Sequence, residues 1–136
     1  MKLNFIHLCD HAFQSEGGKL NIIGVFKNIN VKKFPGGVPK FNLVGSLEVT
    51  TDISGEFTLR VVLLGPNGNK IDIKVPQLKG ILPKQKGGSS FDLNFNLEFG
   101  GLQFNEPGKY NFIVYFNEKD VGNISFDVLQ YSRESN

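Results

Sequence analysis

The sequence predicts an all-β protein, a single-domain antiparallel β-sandwich of about eight strands with an immunoglobulin-like general architecture. Apolar and polar residues alternate over several segments, which is typical of half-buried strands. The length of 136 residues suits one domain. Strong helix formers are scarce, with one Met and a single alanine, whereas 13 Phe and 16 Gly suit strands joined by turns.

The clearest strand spans residues 91–99, where every odd position is apolar and every even position is polar. The N-terminal part predicts strands at 3–9 and 19–29, joined through the turn-rich residues 15–18. Because apolar side chains lie on both faces of 20–26, we expect the second strand to be central and buried on both sides. Gly24 in its middle leaves room for a bulge or for a bulky facing side chain.

Four further strands are expected at 41–50, 56–64, 110–117 and 121–129. A turn at 65–69, which contains an Asn-Gly pair, leads into a short strand of alternating apolar residues that ends at Pro76. The last two strands form a hairpin around 118–120. Gly108 and Tyr110 resemble the tyrosine corner of immunoglobulin domains, although the Cys…Trp…Cys framework of those domains is absent.

The sandwich is expected to span residues 1–130, with residues 131–136 as a frayed C-terminal tail. Two basic loops follow from clusters of Lys, Gly and Pro, at 31–40 and 78–90, and the second is expected to be the most mobile segment. These loops supply the candidate interaction surface, which consists of Lys32, Lys33, Phe34, Lys84 and Lys86.

Most of the phenylalanines are expected to fill the core. The inward positions of the predicted strands hold Phe41, Phe57, Phe91, Phe95, Phe99, Phe112, Phe116 and Phe126. Three others, Phe13, Phe34 and Phe104, lie near loops and are candidates for a binding surface.

The net charge of +2 is unevenly distributed along the chain. Residues 27–86 hold ten basic and four acidic residues, whereas 87–136 hold three basic and seven acidic residues. Such a division could polarise the surface and favour an acidic partner, or it could be mixed again when strands from the two halves interleave. Nucleic-acid binding is not expected, because only two Arg occur and no basic run alternates with aromatic residues.

The densest group of reactive side chains is His7, Cys9, Asp10 and His11. Three of them share one face of a strand, as a zinc site could require, but ligands usually come from separate elements and no other Cys or His follows. We therefore expect a buried Cys9, a loop that begins at Asp10-His11, and neither metal nor cofactor. A Cys–His dyad so local does not suit catalysis, and no serine lies in a nucleophile-elbow context, so no catalytic site and no enzyme activity are expected.

Cys9 is the only cysteine, and a lone thiol fits a reducing compartment. The N-terminal apolar run is short and is interrupted by His7, which does not suit a secretion signal, and no segment is apolar enough for a membrane span. A cytoplasmic location is the expectation.

Residues 5–12 (Phe-Ile-His-Leu-Cys-Asp-His-Ala), 18–26 (Gly-Lys-Leu-Asn-Ile-Ile-Gly-Val-Phe) and Phe34-Pro35 resemble an uncharacterised family of small bacterial proteins. The resemblance is close over 5–49 and thinner beyond, where Pro107-Gly108-Lys109-Tyr110 is similar to a Gly-x-Tyr near the family's end. It implies a compact β-sandwich of unknown function, with no catalytic residues to carry over.

These observations favour a non-catalytic protein-binding or assembly module that acts through loops, a sheet face or an edge strand. A protein partner or self-association is expected, without nucleic acid or membrane. The alternative is a small-ligand or carbohydrate-binding sandwich that uses loop aromatics such as Phe34.

Overall fold

The computed structural model describes residues 1–50, 55–75, 77–84 and 89–131, in which the chain forms twelve strands and no helix. The strands are β1 Lys2–Ser15, β2 Lys19–Phe26, β3 Asn28–Val31, β4 Gly36–Gly37, β5 Lys40–Thr50, β6 Gly55–Leu64, β7 Lys70–Ile71, β8 Leu78–Leu82, β9 Ser90–Gly100, β10 Gln103–Phe104, β11 Gly108–Phe116 and β12 Lys119–Gln130. The expected strand end at Pro76 and the tail at 132–136 lie outside the described residues.

Two main sheets form the sandwich. One has the strand order β2-β1-β5-β9, and the other has the order β3-β12-β11-β6-β7, with β8 also paired to β6. All pairings are antiparallel except that of β3 with β12, which is parallel. The all-β sandwich is therefore confirmed. The strand number is higher than expected because the short β4, β8 and β10 lie in segments whose composition predicts loops, and because the segment 19–29 is split into two strands.

A stack of aromatic rings fills the space between the sheets. Phe112 lies 5.0 Å from Phe99 and 5.3 Å from Phe126 between ring centroids, and Phe41 stacks on Phe99 at 5.3 Å. Of the eight phenylalanines expected to face inward, six are buried, while Phe57 and Phe91 are half-buried against the same core. Each buried ring contributes roughly 1.5–3 kcal/mol. The high Phe content is thus explained by packing.

The segment 19–29 is not one central strand. β2 pairs only with β1 and is an edge strand, and at Lys27 the chain crosses to the other sheet, where β3 begins. The expectation that 20–26 is buried on both sides is wrong, because Ile23 and Val25 are exposed. A strand with apolar side chains on both faces gives the same sequence pattern whether or not both faces are covered.

β1 is longer than expected, and Asp10-His11 lies within it rather than opening a loop. Beyond the Cys9–Asn42 pair, β1 leaves β5 but remains paired with β2, so that residues 10–24 form a β1–β2 ribbon. The ribbon folds across the outer face of its own sheet. There Ala12 packs with Cys9 and Val44 in a second small cluster, and the Asn96 side chain donates a hydrogen bond to the Ala12 carbonyl (2.8 Å).

The tyrosine corner is present, because the Tyr110 hydroxyl donates a 2.6 Å hydrogen bond to the Glu106 carbonyl. The turn at 65–69 is confirmed, with Gly68 at φ +78°. The strand after it covers only β7 (Lys70–Ile71), because the following residues pair with no described strand. The final hairpin turns at Asn117-Glu118, both at positive φ, rather than at 118–120.

Candidate functional site

The basic loops do not form one surface. Lys32 and Lys33 follow β3, whose last residue, Val31, pairs with Gln130 at the end of β12. Lys84 follows β8, whose Leu82 pairs with the first residue of β6, near the turn that precedes β12. Because these are opposite ends of β12, the two sets of lysines lie at opposite ends of the sandwich. Lys86 lies outside the described residues.

The three loop phenylalanines also differ from one another. Phe104 is 1% exposed and contacts Tyr110 and Phe126 edge-on, so its proposed place on a binding surface is wrong. Phe34 is half-buried against the main core. Phe13 is exposed, and it lies on the β1–β2 ribbon rather than in a loop.

The charges of the basic and acidic segments are mixed in the fold. Lys40 on β5 pairs with Glu98 on β9 at 3.2 Å, and Arg60 on β6 pairs with Glu118 at 2.9 Å. Strands from the two segments are neighbours in both sheets, which is the interleaving that the sequence left open.

Two large apolar side chains are exposed on β2, an edge strand of its sheet. Ile23 and Val25 are 53% and 54% exposed, and both lie on a strand whose second edge pairs with no described strand. His11 pairs across from Ile23, and its ring lies 5.6 Å from that of Phe13 between centroids. These four side chains are all exposed, and we call them the exposed row.

No charged residue lies within 20–26, but Lys19 precedes this segment and Lys27 follows it. Both lysines are exposed, and neither makes an ion pair with any carboxylate in the part of the chain that the structure describes. The edge is therefore an apolar strand bracketed by two available cations. Sequence reasoning missed this site, although the uncharged run between two lysines was its visible signal.

A second feature lies where the ribbon leaves β5. A pocket of about 290 Å³ opens at this fork, and we call it the fork pocket. Its walls come from β1, β2, β3 and the start of β5, with the residues Asp10, Phe26, Asn28, Ile29, Asn30, Val38, Lys40 and Phe41. Four of these residues are apolar and four are polar or charged, so the pocket combines apolar surface with several polar groups.

The position of Asp10 depends on Gly24, which faces it across the ribbon. Gly24 has φ +72°, and a Cβ atom at this position would lie 2.4 Å from Asp10 Oδ2. The missing side chain thus leaves the space that the carboxylate occupies, so the side chain facing Gly24 is a short carboxylate rather than the bulky group expected. No hydrogen bond or ion pair joins Asp10 to another residue among those the structure describes.

Lys40 is held on the other wall of the fork pocket. Its ammonium group lies 3.2 Å from Glu98 Oε1 and 3.3 Å from His11 Nδ1, which accepts its hydrogen bond. Lys40 is therefore held by Glu98 and His11, and no described residue makes an ion pair with Asp10.

The remaining shifted groups have structural causes. Burial raises the pKa of the Cys9 thiol, in agreement with its expected place in a core. The hydrogen bonds with Arg60 lower the pKa of Glu118. Burial raises the pKa of Tyr110 in the tyrosine corner. Within the described ranges, no three His, Cys, Asp or Glu side chains are grouped closely enough to hold a metal ion.

The fold and the tyrosine corner define the chain as a β-sandwich of immunoglobulin-like architecture. It belongs to DUF6941, a family of unknown function, whose model matches residues 4–129. The expected membership in an uncharacterised family is thereby confirmed. No curated protein matches the chain.

Several solved structures are similar in fold. The alkylpurine DNA glycosylase AlkC of Pseudomonas fluorescens, bound to DNA containing an abasic site analog, matches 91% of this chain at 14% identity and a TM-score of 0.50. A β-glucosidase of Listeria innocua matches 93% at 15% identity and a TM-score of 0.48. An immunoglobulin-like protein of Pseudomonas aeruginosa matches 93% at 17% identity and a TM-score of 0.38.

The chain spans 30% of the glycosylase and 16% of the β-glucosidase, but 94% of the immunoglobulin-like protein. At these identities the likeness concerns the fold alone. Among the described residues, none forms a helix that could cross a membrane.

Proposed function

We propose that this protein is a non-catalytic protein-binding module of the bacterial cytoplasm that takes up an extended segment of a partner protein at the free edge of β2. The carrying observation is the exposure of Ile23 and Val25 on an unpaired, uncharged edge strand. An added strand would hydrogen-bond to the free backbone groups of β2, and its side chains would cover the exposed row.

Edge strands of monomeric proteins are usually protected by charges, prolines or a covering element. β2 has no charge or proline between residues 20 and 26, and no described element covers its edge. An apolar edge of this kind is an aggregation hazard unless a partner occupies it. This argument supports strand addition over recognition by loops.

The lysines at the two ends of β2 indicate the chemistry of the partner. Lys19 and Lys27 are exposed and available, so a partner segment with apolar residues in its middle and Asp or Glu near both ends would be complementary. A second copy fits less well. Two β2 strands paired antiparallel about Ile23 would place Lys19 of one copy opposite Lys27 of the other, and like charges directly opposite are destabilising.

A non-catalytic role is supported by the titratable groups. Among the described residues, the shifted pKa values belong to Cys9 and Tyr110, which burial affects, and to the Arg60–Glu118 ion pair. These groups do not converge on one cavity, whereas catalytic groups with tuned pKa values are found together in a cleft.

The test is a capture experiment with matched baits. The immobilised protein is compared with the double variant Ile23→Lys/Val25→Lys, and with Ile81→Lys as control, because Ile81 is 77% exposed on β8, an edge strand of the other sheet. We expect one protein to be retained equally by the wild type and by the control, and at least about tenfold less by the double variant, since each lysine introduces an unpaired charge into the paired edge.

The captured protein is then added back in solution, and amide hydrogen exchange is followed. Slower exchange in 20–26 with no change in β8 supports strand addition. Equal loss of capture with Ile81→Lys, or protection outside β2, contradicts it. If light scattering shows that the wild type is a dimer and the double variant is a monomer, the occupant of the β2 edge is a second copy of the chain rather than a partner protein.

A further inference from the structure

We propose that the fork pocket binds a small organic ammonium ion with an apolar body, with Asp10 as the anionic partner of the ammonium group. The fork pocket adjoins the free edge of β2 and shares Phe26 with it, but Asp10, Asn28 and Asn30 lie on other strands, so the proposal does not depend on the proposed function.

The first observation is the combination of shape and lining. The pocket of about 290 Å³ is at the small end of ligand pockets and suits a single small molecule. Phe26 supplies half-buried apolar surface at the pocket, and it packs on the buried Phe41. The Phe26 ring suits the apolar body of the ligand and a nearby cation.

The second observation is that three polar side chains on the pocket wall lack partners among the described residues. Asp10 has no partner among the described residues, although Gly24 leaves the space that holds its carboxylate at the pocket. The side chains of Asn28 and Asn30, also on the wall, make no hydrogen bond to any described residue. Their carboxamide oxygens can accept hydrogen bonds from an ammonium group, as can the Asp10 carboxylate.

The third observation concerns Lys40, the one cation on the wall. Its ammonium group is held by Glu98 and by His11, so it does not neutralise Asp10. The groups that remain without partners, Asp10, Asn28 and Asn30, therefore favour a ligand that is a cation with hydrogen-bond donors over an anion. A charge-assisted hydrogen bond to a carboxylate is about twice as strong as a neutral one.

The test uses three molecules of the same shape and different charge: phenethylammonium, 2-phenylethanol and phenylacetate. Binding to the whole protein is followed by ¹H–¹⁵N NMR, with the side-chain NH₂ signals of Asn28 and Asn30 as local reporters. We expect phenethylammonium to shift these signals with an affinity at least about tenfold higher than that of the alcohol, and phenylacetate to leave them unchanged.

The variant Asp10→Asn removes the charge at an exposed position, and Asp72→Asn removes a carboxylate at a different exposed position as the matched control. We expect Asp10→Asn to lower the affinity for phenethylammonium about tenfold and to leave that for the alcohol unchanged, while the control changes neither. Equal binding of the three molecules overturns the proposal. So does stronger binding of phenylacetate, or a cation affinity that Asp10→Asn does not alter.

Discussion

The two edges of the four-stranded sheet differ in how they meet the solvent. β9 presents Asp92, Asn96 and Glu98 outward and buries Phe95 on its inner side. Its acids are paired, Asp92 with the Asn4 side chain and Glu98 with Lys40. β2, at the opposite edge, presents Ile23 and Val25 instead. One edge is therefore protected against pairing and the other is open to it, so a single sheet has edges of opposite character.

The largest expected loss of stability follows from truncating a core residue of β9, the protected edge. Truncating a surface residue of β2, the open edge, should have little effect. Phe95→Ala should lower the free energy of unfolding by about 3–5 kcal/mol, because the buried ring packs over Gly45 and its loss leaves a cavity. Ile23→Ala should change it by less than about 0.5 kcal/mol. Chemical denaturation measures both. Similar losses for the two variants would show that β2 is covered in solution.

The next largest loss of stability is expected at the contact between β9 and the β1–β2 ribbon. Asn96 on β9 donates to the Ala12 carbonyl of the ribbon and accepts from the buried Asn42 side chain (2.8 Å). Asn96→Ala should cost about 1–3 kcal/mol, because Asn42 loses its partner. It should also speed amide exchange in residues 10–24 more than in β11. A uniform increase over all strands would mean that the ribbon does not depend on this contact.

A third variant changes the open edge itself. Gly24→Ala should destabilise the protein by about 1–2 kcal/mol, because its positive φ disfavours a side chain, and the new Cβ would displace the Asp10 carboxylate. Thermal unfolding measures the loss. Gly17→Ala is the matched control, since it also has a positive φ but open space around it. Equal effects of the two variants would show that backbone strain alone accounts for the loss.

The smallest effect is expected at the charges of the protected edge. Glu98→Gln removes the ion pair with Lys40, whose two side chains are largely exposed, and should change the free energy of unfolding by less than about 1 kcal/mol. If this charge protects the edge, the variant should instead show more concentration-dependent association in light scattering, although its stability is almost unchanged. Unaltered association would show that the charge of Glu98 does not protect the edge of β9.

Much of the fold was predictable from alternation alone. The strands 41–50, 56–64 and 91–99 agree with β5, β6 and β9 within one residue at each end. The tyrosine corner and the turn around Gly68 were also predictable, because both depend on residues close together in sequence.

The candidate site was predictable only in part. Edge strands were among the proposed modes of binding, but β2 was expected at the centre of a sheet. The candidate residues Lys32 and Lys84 were grouped by composition, and the register of β3 and β8 places them at opposite ends. Composition carries no information on which loops share an end of a sandwich, because that depends on strand direction and order.

The sequence by itself determined that this protein is built of strands, which side of most strands is apolar, and that phenylalanine fills its core. Tertiary structure alone decided that β2 lies at an edge, that the chain changes sheets at Lys27, and that Asp10 meets Gly24 beside Lys40. The physical reason is that alternation is a local property of one strand, whereas an edge or a pocket depends on which distant segments pair with it.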